Sequence, residues 1–250
     1  MPTSSEIAIK CENVTKSYML GETASLPQTL AALNPFRAAP PKETFQALSD
    51  VSFTVQRGSF FGIVGANGSG KSTLTQTISG ITVPDSGTIT IGGTILPLLE
   101  VGAGFSEDLT GRENVVLLGA ILGIPASEVK NSIEAILDFA GIHRHFDTQM
   151  KRFSSGMRAR LSFATAVCFP ADIYVFDEVL AVVDDDFRER CTTEMQRLHG
   201  EGKTILFMSH DLDLVGSICS EGMWIDRGVV RTVGKIADVA DSYAAGAQVD

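Results

Sequence analysis

The stretch Gly65-Ala66-Asn67-Gly68-Ser69-Gly70-Lys71-Ser72 constrains this chain more than any other. It follows the apolar run Phe60-Phe61-Gly62-Ile63-Val64 and precedes a helix-like segment, 73–79, that Gly80 closes. The pattern is G-x-x-x-x-G-K-[ST] in a strand–loop–helix setting, where a buried strand must feed a helix N-terminus through a glycine-rich turn. Successive backbone N–H groups of such a turn converge on an anion, and the helix end adds its partial positive charge. Gly65, Gly68 and Gly70 are expected to supply left-handed backbone. Lys71 is placed to reach the β and γ phosphates, and Ser72 offers a hydroxyl to Mg²⁺, which prefers hard oxygen ligands. With Asn67, Ser69 and Thr73 completing the loop, the stretch implies a nucleoside triphosphate site.

Composition narrows the setting. With 250 residues, 44% of them hydrophobic, the chain has enough apolar material for a full core as one large domain. A formal net charge of −10 argues against nucleic acid or anionic lipid as the main binding partner. Cys11, Cys168, Cys191 and Cys219 are scattered without a C-x-x-C pair, so neither a disulfide framework nor a zinc site is implied. Residues 1–10 lack the features of a leader, and no run approaches the roughly 20 apolar residues that span a bilayer. Membrane contact is expected only through a partner.

Taken in order, residues 6–14 alternate as a half-buried strand and lead to Tyr18 at its end. Segment 19–44 differs, with Leu26, Leu30, Leu33 and Phe36 at helical spacing among prolines, as in a short amphipathic helix inserted in a loop. Strand character returns at 45–55, and 81–93 reads as a turn followed by an edge strand at 88–91. Leu96 to Leu99 is a short apolar run that ends at Glu100. Thr110-Gly111-Arg112-Glu113 reads as a capping box that starts a helix through Leu122, and a second helix follows Pro125 as far as Gly141. Phe153-Ser154-Ser155-Gly156-Met157 opens a helix at 158–169. The uninterrupted run Ile173-Tyr174-Val175-Phe176-Asp177-Glu178 reads as a parallel strand buried on both faces, with its acids emerging at the C-terminal end. A helix at 187–198, a strand at 204–208 ending in Ser209-His210-Asp211, a helix from Leu212, a hairpin around Trp224 and a C-terminal helix ending near Ala245 complete the pass.

Hydrolysis of a triphosphate needs metal-bridged phosphates, a proton acceptor for water and a sensor of the γ-phosphate. Asp177 is placed to hold the Mg²⁺ shell together with Ser72, Glu178 to take the proton, and His210 to contact the γ-phosphate. His143 and His145 have no obvious third ligand and read as surface residues.

The phosphate loop, Phe153-Ser154-Ser155-Gly156-Met157, the Asp177-Glu178 strand end, Asp184 and His210 occur in the order and spacing of an ATP-binding cassette (ABC) ATPase, which the chain resembles over nearly its whole length. The resemblance implies an α/β fold with a mixed core sheet, an antiparallel β subdomain and a helical signature subdomain. It divides residues 1–250 into an antiparallel and core lobe at 1–99 with the insert at 19–44, a helical subdomain at 100–165, and a second core segment with a C-terminal helix at 166–250. It implies ATP and Mg²⁺, with adenine stacked on Tyr18 and His210 as the switch histidine. It also implies a head-to-tail dimer, in which Ser154, Ser155 and Gly156 contact the triphosphate held by the second copy while Asp184 lies at the dimer interface. One departure is the family's usual glutamine, absent here, with Glu100 the nearest replacement toward the metal-bound water.

Leu99-Glu100-Val101-Gly102-Ala103-Gly104-Phe105, Thr110-Gly111-Arg112-Glu113-Asn114, Ser154-Ser155-Gly156-Met157 and Asp177-Glu178-Val179-Leu180-Ala181-Val182 are together similar to the polysaccharide-export branch, and the 19–44 insert adds to that likeness. That implies an ATPase at the cytoplasmic face of the cell membrane, working with two copies of an integral membrane permease that carries a lipid-linked polysaccharide of the O-antigen, teichoic acid, capsule or galactan kind. No carbohydrate-binding domain is expected after the core, so substrate selection is expected in the permease. The competing reading is a soluble cassette ATPase of cofactor (iron–sulfur) assembly. A chromosome-maintenance ATPase would need coiled-coil heptads that this chain lacks.

Overall fold

Residues 6–19, 44–98, 104–177 and 183–246 are described by a computed structural model. In chain order they form β1 (Ile7–Met19), β2 (Thr44–Gln56), β3 (Phe60–Val64), α1 (Lys71–Ile78), β4 (Ser86–Ile91), β5 (Ile95–Leu98), α2 (Gly111–Ile121), α3 (Ala126–Ala140), α4 (Ser155–Cys168), β6 (Ile173–Asp177), α5 (Asp185–Gly200), β7 (Thr204–Ser209), α6 (Leu212–Ile218), β8 (Glu221–Asp226), β9 (Val229–Lys235) and α7 (Ile236–Gly246).

The alternating runs make an antiparallel sheet in the order β2-β1-β4, so the strand expected at an edge lies there. Met19 pairs with Thr44, so the chain leaves and rejoins this sheet at one point, and the insert expected between them falls at 20–43, outside the described residues. The unbroken apolar runs make a second sheet in the order β5-β6-β7-β3-β8-β9, parallel except for β9. Its central strands β3, β6 and β7 are buried at every position because both faces are covered. Phe61, Ile63, Ile173, Val175, Leu206 and Met208 join one buried cluster with the antiparallel sheet, Leu74 and Ile78. Phe60, Val64, Tyr174, Phe176, Ile205 and Phe207 join the other with the helices. The short run ending at Glu100 proves to be the edge strand β5, whose Pro97 is tolerated at that position.

Two helices begin earlier than the sequence suggests. The side chain of Ser154 accepts from the N–H of Met157, so α4 starts at Ser155 rather than at residue 158. Asp184 accepts from the N–H of Phe187, so α5 starts at Asp185 rather than at residue 187. In both, a polar N-cap takes up a first-turn donor and extends the helix back to itself. The capping box at Thr110 and Glu113 forms as expected, with a left-handed Gly141 closing α3.

Aromatic contacts tie the helices to the central strands. Phe163 of α4 stacks on Phe176 of β6 with centroids 5.3 Å apart and on Phe139 of α3 at 5.7 Å, and meets Phe187 of α5 edge-on at 6.2 Å. Phe163→Ala should therefore cost about 3–5 kcal/mol in a urea unfolding titration, the range for emptying a buried aromatic site.

Candidate functional site

Sheet register gathers the chemistry at one edge. β6, β7 and β3 are parallel neighbours, with Asp177 beside Met208 and Val64 beside Ser209. Their C-terminal ends thus bring Asp177, Ser209-His210 and the start of the phosphate loop together, where open α/β sheets bind ligands. Asp177 is only 8% exposed, while His210, one residue past β7, is exposed.

The loop is locked from outside. Ser69 accepts from the N–H of Gly228 at 2.8 Å, and Gly228 in turn accepts from the N–H of Ser49 at 2.8 Å. Arg227 (φ 48°) and Gly228 (φ 77°) make the tight turn between β8 and β9, with both central residues left-handed as a type I′ hairpin requires. Gly68 (φ 79°) and Gly70 (φ 107°) are left-handed as expected, but Gly65 is not. Its need for glycine is close approach, since a Cβ there would lie 2.4 Å from the Ile225 carbonyl oxygen and 2.5 Å from Ser69 Oγ.

Lys71 lies buried at the head of α1, where its Nζ donates to the carbonyls of Gly65 at 2.7 Å and Ala66 at 3.1 Å. Asn67, Gly68, Gly70, Lys71, Ser72 and Thr73 line a cavity of about 220 Å³ that Phe45 and Ala47 close on the far side. Ser72 and Asp177 also share a larger cleft of about 510 Å³, along with Gln76. A hydroxyl and a carboxylate facing one space are the hard oxygen donors that Mg²⁺ selects, so the residues fit that ion.

Other expected residues are not brought into these cavities. Ser154 and Ser155 are exposed and Gly156 is half-buried at the start of α4, and none of the three lines either space. Asp184 also lies outside both cavities and is tied to α4. Its carboxylate pairs with Arg160 of α4, whose guanidinium also covers the Phe187 ring at 4.8 Å. The Arg160 guanidinium and the Phe187 N–H hold the Asp184 carboxyl below the usual carboxylate range. Tyr18 stands at the end of β1 outside both cavities, opposite Phe45. Glu178 and Glu100 lie outside the described residues. His143, which had no evident ligand partner in the sequence, faces two acids of α3, with Nε2 3.1 Å from Asp138 and 3.8 Å from Glu134, all exposed.

Sequence reasoning missed Phe45, Ala47, Gly228 and Arg160. The Asp226-Arg227-Gly228 turn was a readable hairpin signal, but its contact with the phosphate loop is long-range, and nothing local marks Arg160 as the partner of Asp184.

Residues 48–181 match the family model described as ABC transporter. The chain is 43% identical to the ABC transporter protein AbcA of Aeromonas salmonicida over 85% of its own length and 68% of that protein's. It is 40% identical to the teichoic acids export ATP-binding protein TagH of Bacillus cereus, covering 95% of this chain but 42% of the relative. It is 35% identical to the O-antigen export system ATP-binding protein RfbB of Klebsiella pneumoniae, covering 95% and 98%. The chain thus spans less than half of the Bacillus relative and nearly all of the Klebsiella one. Among solved structures, an ATP-binding subunit of an ABC transporter superposes with a TM-score of 0.76 at 22% identity, over 95% of this chain and 93% of that one. A dimeric ATP-binding cassette in a post-hydrolysis state bound to ADP and Pi superposes at 0.74 and 22%, over 91% and 98%.

Two outcomes follow from this geometry. Gly68→Ala, with nothing within 4 Å of the new Cβ, should cost only the left-handed strain, about 1–2 kcal/mol. Gly70→Ala should cost more in the same denaturation experiment, because its Cβ would also meet the Ala47 carbonyl oxygen at 2.7 Å. A carboxylate held low in the fold stabilises above its unfolded pKa of about 3.9 and loses that contribution as pH falls through its folded value. Asp184→Asn should therefore unfold more readily than the parent at about pH 6, with the gap narrowing towards about pH 3 in a series of thermal melts.

Proposed function

The chain belongs to the ABC transporter family, and from that premise we propose that it is the ATP-hydrolysing subunit of an exporter of a lipid-linked polysaccharide. The cargo is of the O-antigen, teichoic acid or galactan kind, and the chain works as a pair of copies beneath an integral membrane permease on the cytoplasmic side. The observation that carries this reading is the split site. The phosphate loop, Ser72, Asp177 and His210 gather on one sheet edge, while Ser154, Ser155 and Gly156 stand apart at an exposed helix start. A second copy, related by a two-fold axis, supplies the missing contacts to each triphosphate.

Within each copy the loop N–H groups and Lys71 take the phosphates, and Ser72 and Asp177 would hold Mg²⁺, with Glu100 placed to order water near it. When bound, Mg²⁺ neutralises charge on the β and γ phosphates. Glu178 accepts the proton of a water that attacks the γ-phosphorus as the bond to the β–γ bridging oxygen breaks, and His210 contacts the γ-phosphate. Asp184, tied to Arg160, moves with the signature helix. Tyr18 stacks on adenine.

Among the described residues no helix is long and apolar enough to cross a membrane. The larger cleft supports a place for the permease. It is lined by the exposed apolar residues Ile81 (60% exposed) and Ile121 (64% exposed) as well as by Ser72 and Asp177. Leu98 and Gly104, the described residues on either side of the segment bearing Glu100, also line it, so a permease segment seated there would share the cleft with Ser72 and Asp177.

The test is affinity purification of the Glu178→Gln variant from detergent-solubilised membranes with ATP and Mg²⁺, followed by mass spectrometry of proteins and lipids. The expected result is loss of turnover with ATP binding retained, and a stoichiometric multi-span protein bearing a polyprenyl-linked glycan. Normal hydrolysis would refute Glu178 as the base. Recovery with soluble proteins alone would move the chain to cofactor assembly.

A further inference from the structure

The end of the antiparallel sheet beside the phosphate loop carries two aromatic rings where the sequence pointed to one. Tyr18 of β1 pairs directly with Phe45 of β2. Directly opposed residues of an antiparallel pair present their side chains on the same face, with Cβ atoms about 4.5–5.5 Å apart. Phe45 is therefore on the Tyr18 side of the sheet.

Packing does not account for these rings. Tyr18 is 39% exposed and Phe45 51% exposed, and neither belongs to a buried cluster of the described residues. A strand phenylalanine with half its surface in water forgoes much of the burial that normally places it. The two rings also differ in where they stand. Phe45 lines the cavity of about 220 Å³ together with Asn67, Gly68, Gly70, Lys71, Ser72 and Thr73, whereas Tyr18 does not. The approach to Tyr18 is shared with a cation, since Lys16 Nζ lies 5.7 Å from its ring centroid and is held there by Asp85 at 2.9 Å. The aromatic wall next to the phosphate-binding backbone is thus Phe45.

We propose that Phe45 is a nucleoside-binding residue of this site, its ring forming with that of Tyr18 a two-ring aromatic wall for the base and ribose of a nucleoside triphosphate. The inference rests on the reading of the phosphate loop as an ATP site and extends it to a residue outside the loop and outside β1. Every base has a π-face, so a second ring strengthens retention of the nucleoside without reading its hydrogen-bonding edge. The chemical class of the ligand is a nucleoside triphosphate, with affinity divided between phosphates held by the loop and a base held by the rings.

The division makes the test specific. Binding of ATP and of inorganic tripolyphosphate, both with Mg²⁺, is measured by titration calorimetry on the parent chain and on Phe45→Ala, Phe45→Trp and Tyr18→Ala. In Phe45→Ala, ATP should weaken by about 5- to 150-fold, the span of a lost base–aromatic contact, while tripolyphosphate binding is unchanged. Phe45→Trp should keep ATP binding near the parent's. Tyr18→Ala should also weaken ATP selectively. The proposal is overturned if ATP affinity in Phe45→Ala matches the parent, or if ATP and tripolyphosphate weaken together, which would make Phe45 a support of the loop. A parent chain that binds tripolyphosphate and ATP equally well would also overturn it, because no base contact would then exist. A parent that binds neither would remove the ATP reading itself.

Discussion

Coverage of the central sheet on both faces is the constraint from which the rest of the molecule follows. β3, β6 and β7 have helices on one side and the antiparallel sheet on the other, so a polar group within them needs a hydrogen-bond partner, as the Tyr174 hydroxyl has in the Phe169 carbonyl. Charged and hydrogen-bonding chemistry is pushed to the strand ends. Parallel register then aligns those ends, and Gly65, Asp177 and His210, far apart in sequence, become neighbours along one edge.

Two further couplings make that edge rigid. The β8–β9 turn donates from Gly228 to Ser69 and accepts from Ser49, so the phosphate loop is held by the core sheet and the antiparallel sheet together. On the opposite side, Phe163 packs against both Phe176, next to Asp177, and Phe187, at the start of α5. Arg160 covers the Phe187 ring while pairing with Asp184. α4, the Asp184 cap and the strand end that carries Asp177 therefore share one aromatic contact set. Packed rings thus connect α4 to the neighbourhood of both carboxylates in one contiguous set.

Legibility from sequence divided along the range of the interactions. The phosphate loop, the buried run ending at Asp177 and the capping box at Thr110 are written in local order, and each lies where its pattern predicts. The starts of α4 and α5 were placed late because a serine or aspartate outside an apolar repeat reads as loop until its cap bond is seen. Gly65 was assigned the wrong reason for being glycine, since backbone angles and close approaches look alike in one letter. Phe45 was read only as a strand residue. Its exposure and its place opposite Tyr18 depend on pairing across the insert, which no periodicity encodes.

Charge poses the remaining problem, because a chain of net charge −10 is assigned a polyanionic ligand. The conflict dissolves on scale. At physiological ionic strength the Debye length is about 8 Å, so exposed carboxylates elsewhere on the surface are largely screened at the phosphate loop. What a triphosphate meets there is the start of α1, N–H groups turned inward by left-handed Gly68 and Gly70, and the buried ammonium of Lys71. In that low-dielectric recess each local donor counts for more than a distant acid. Asp177 is the exception, a buried carboxylate at the same sheet edge that would repel an anionic ligand brought close to it. A divalent cation between such a carboxylate and an anionic ligand would offset that repulsion.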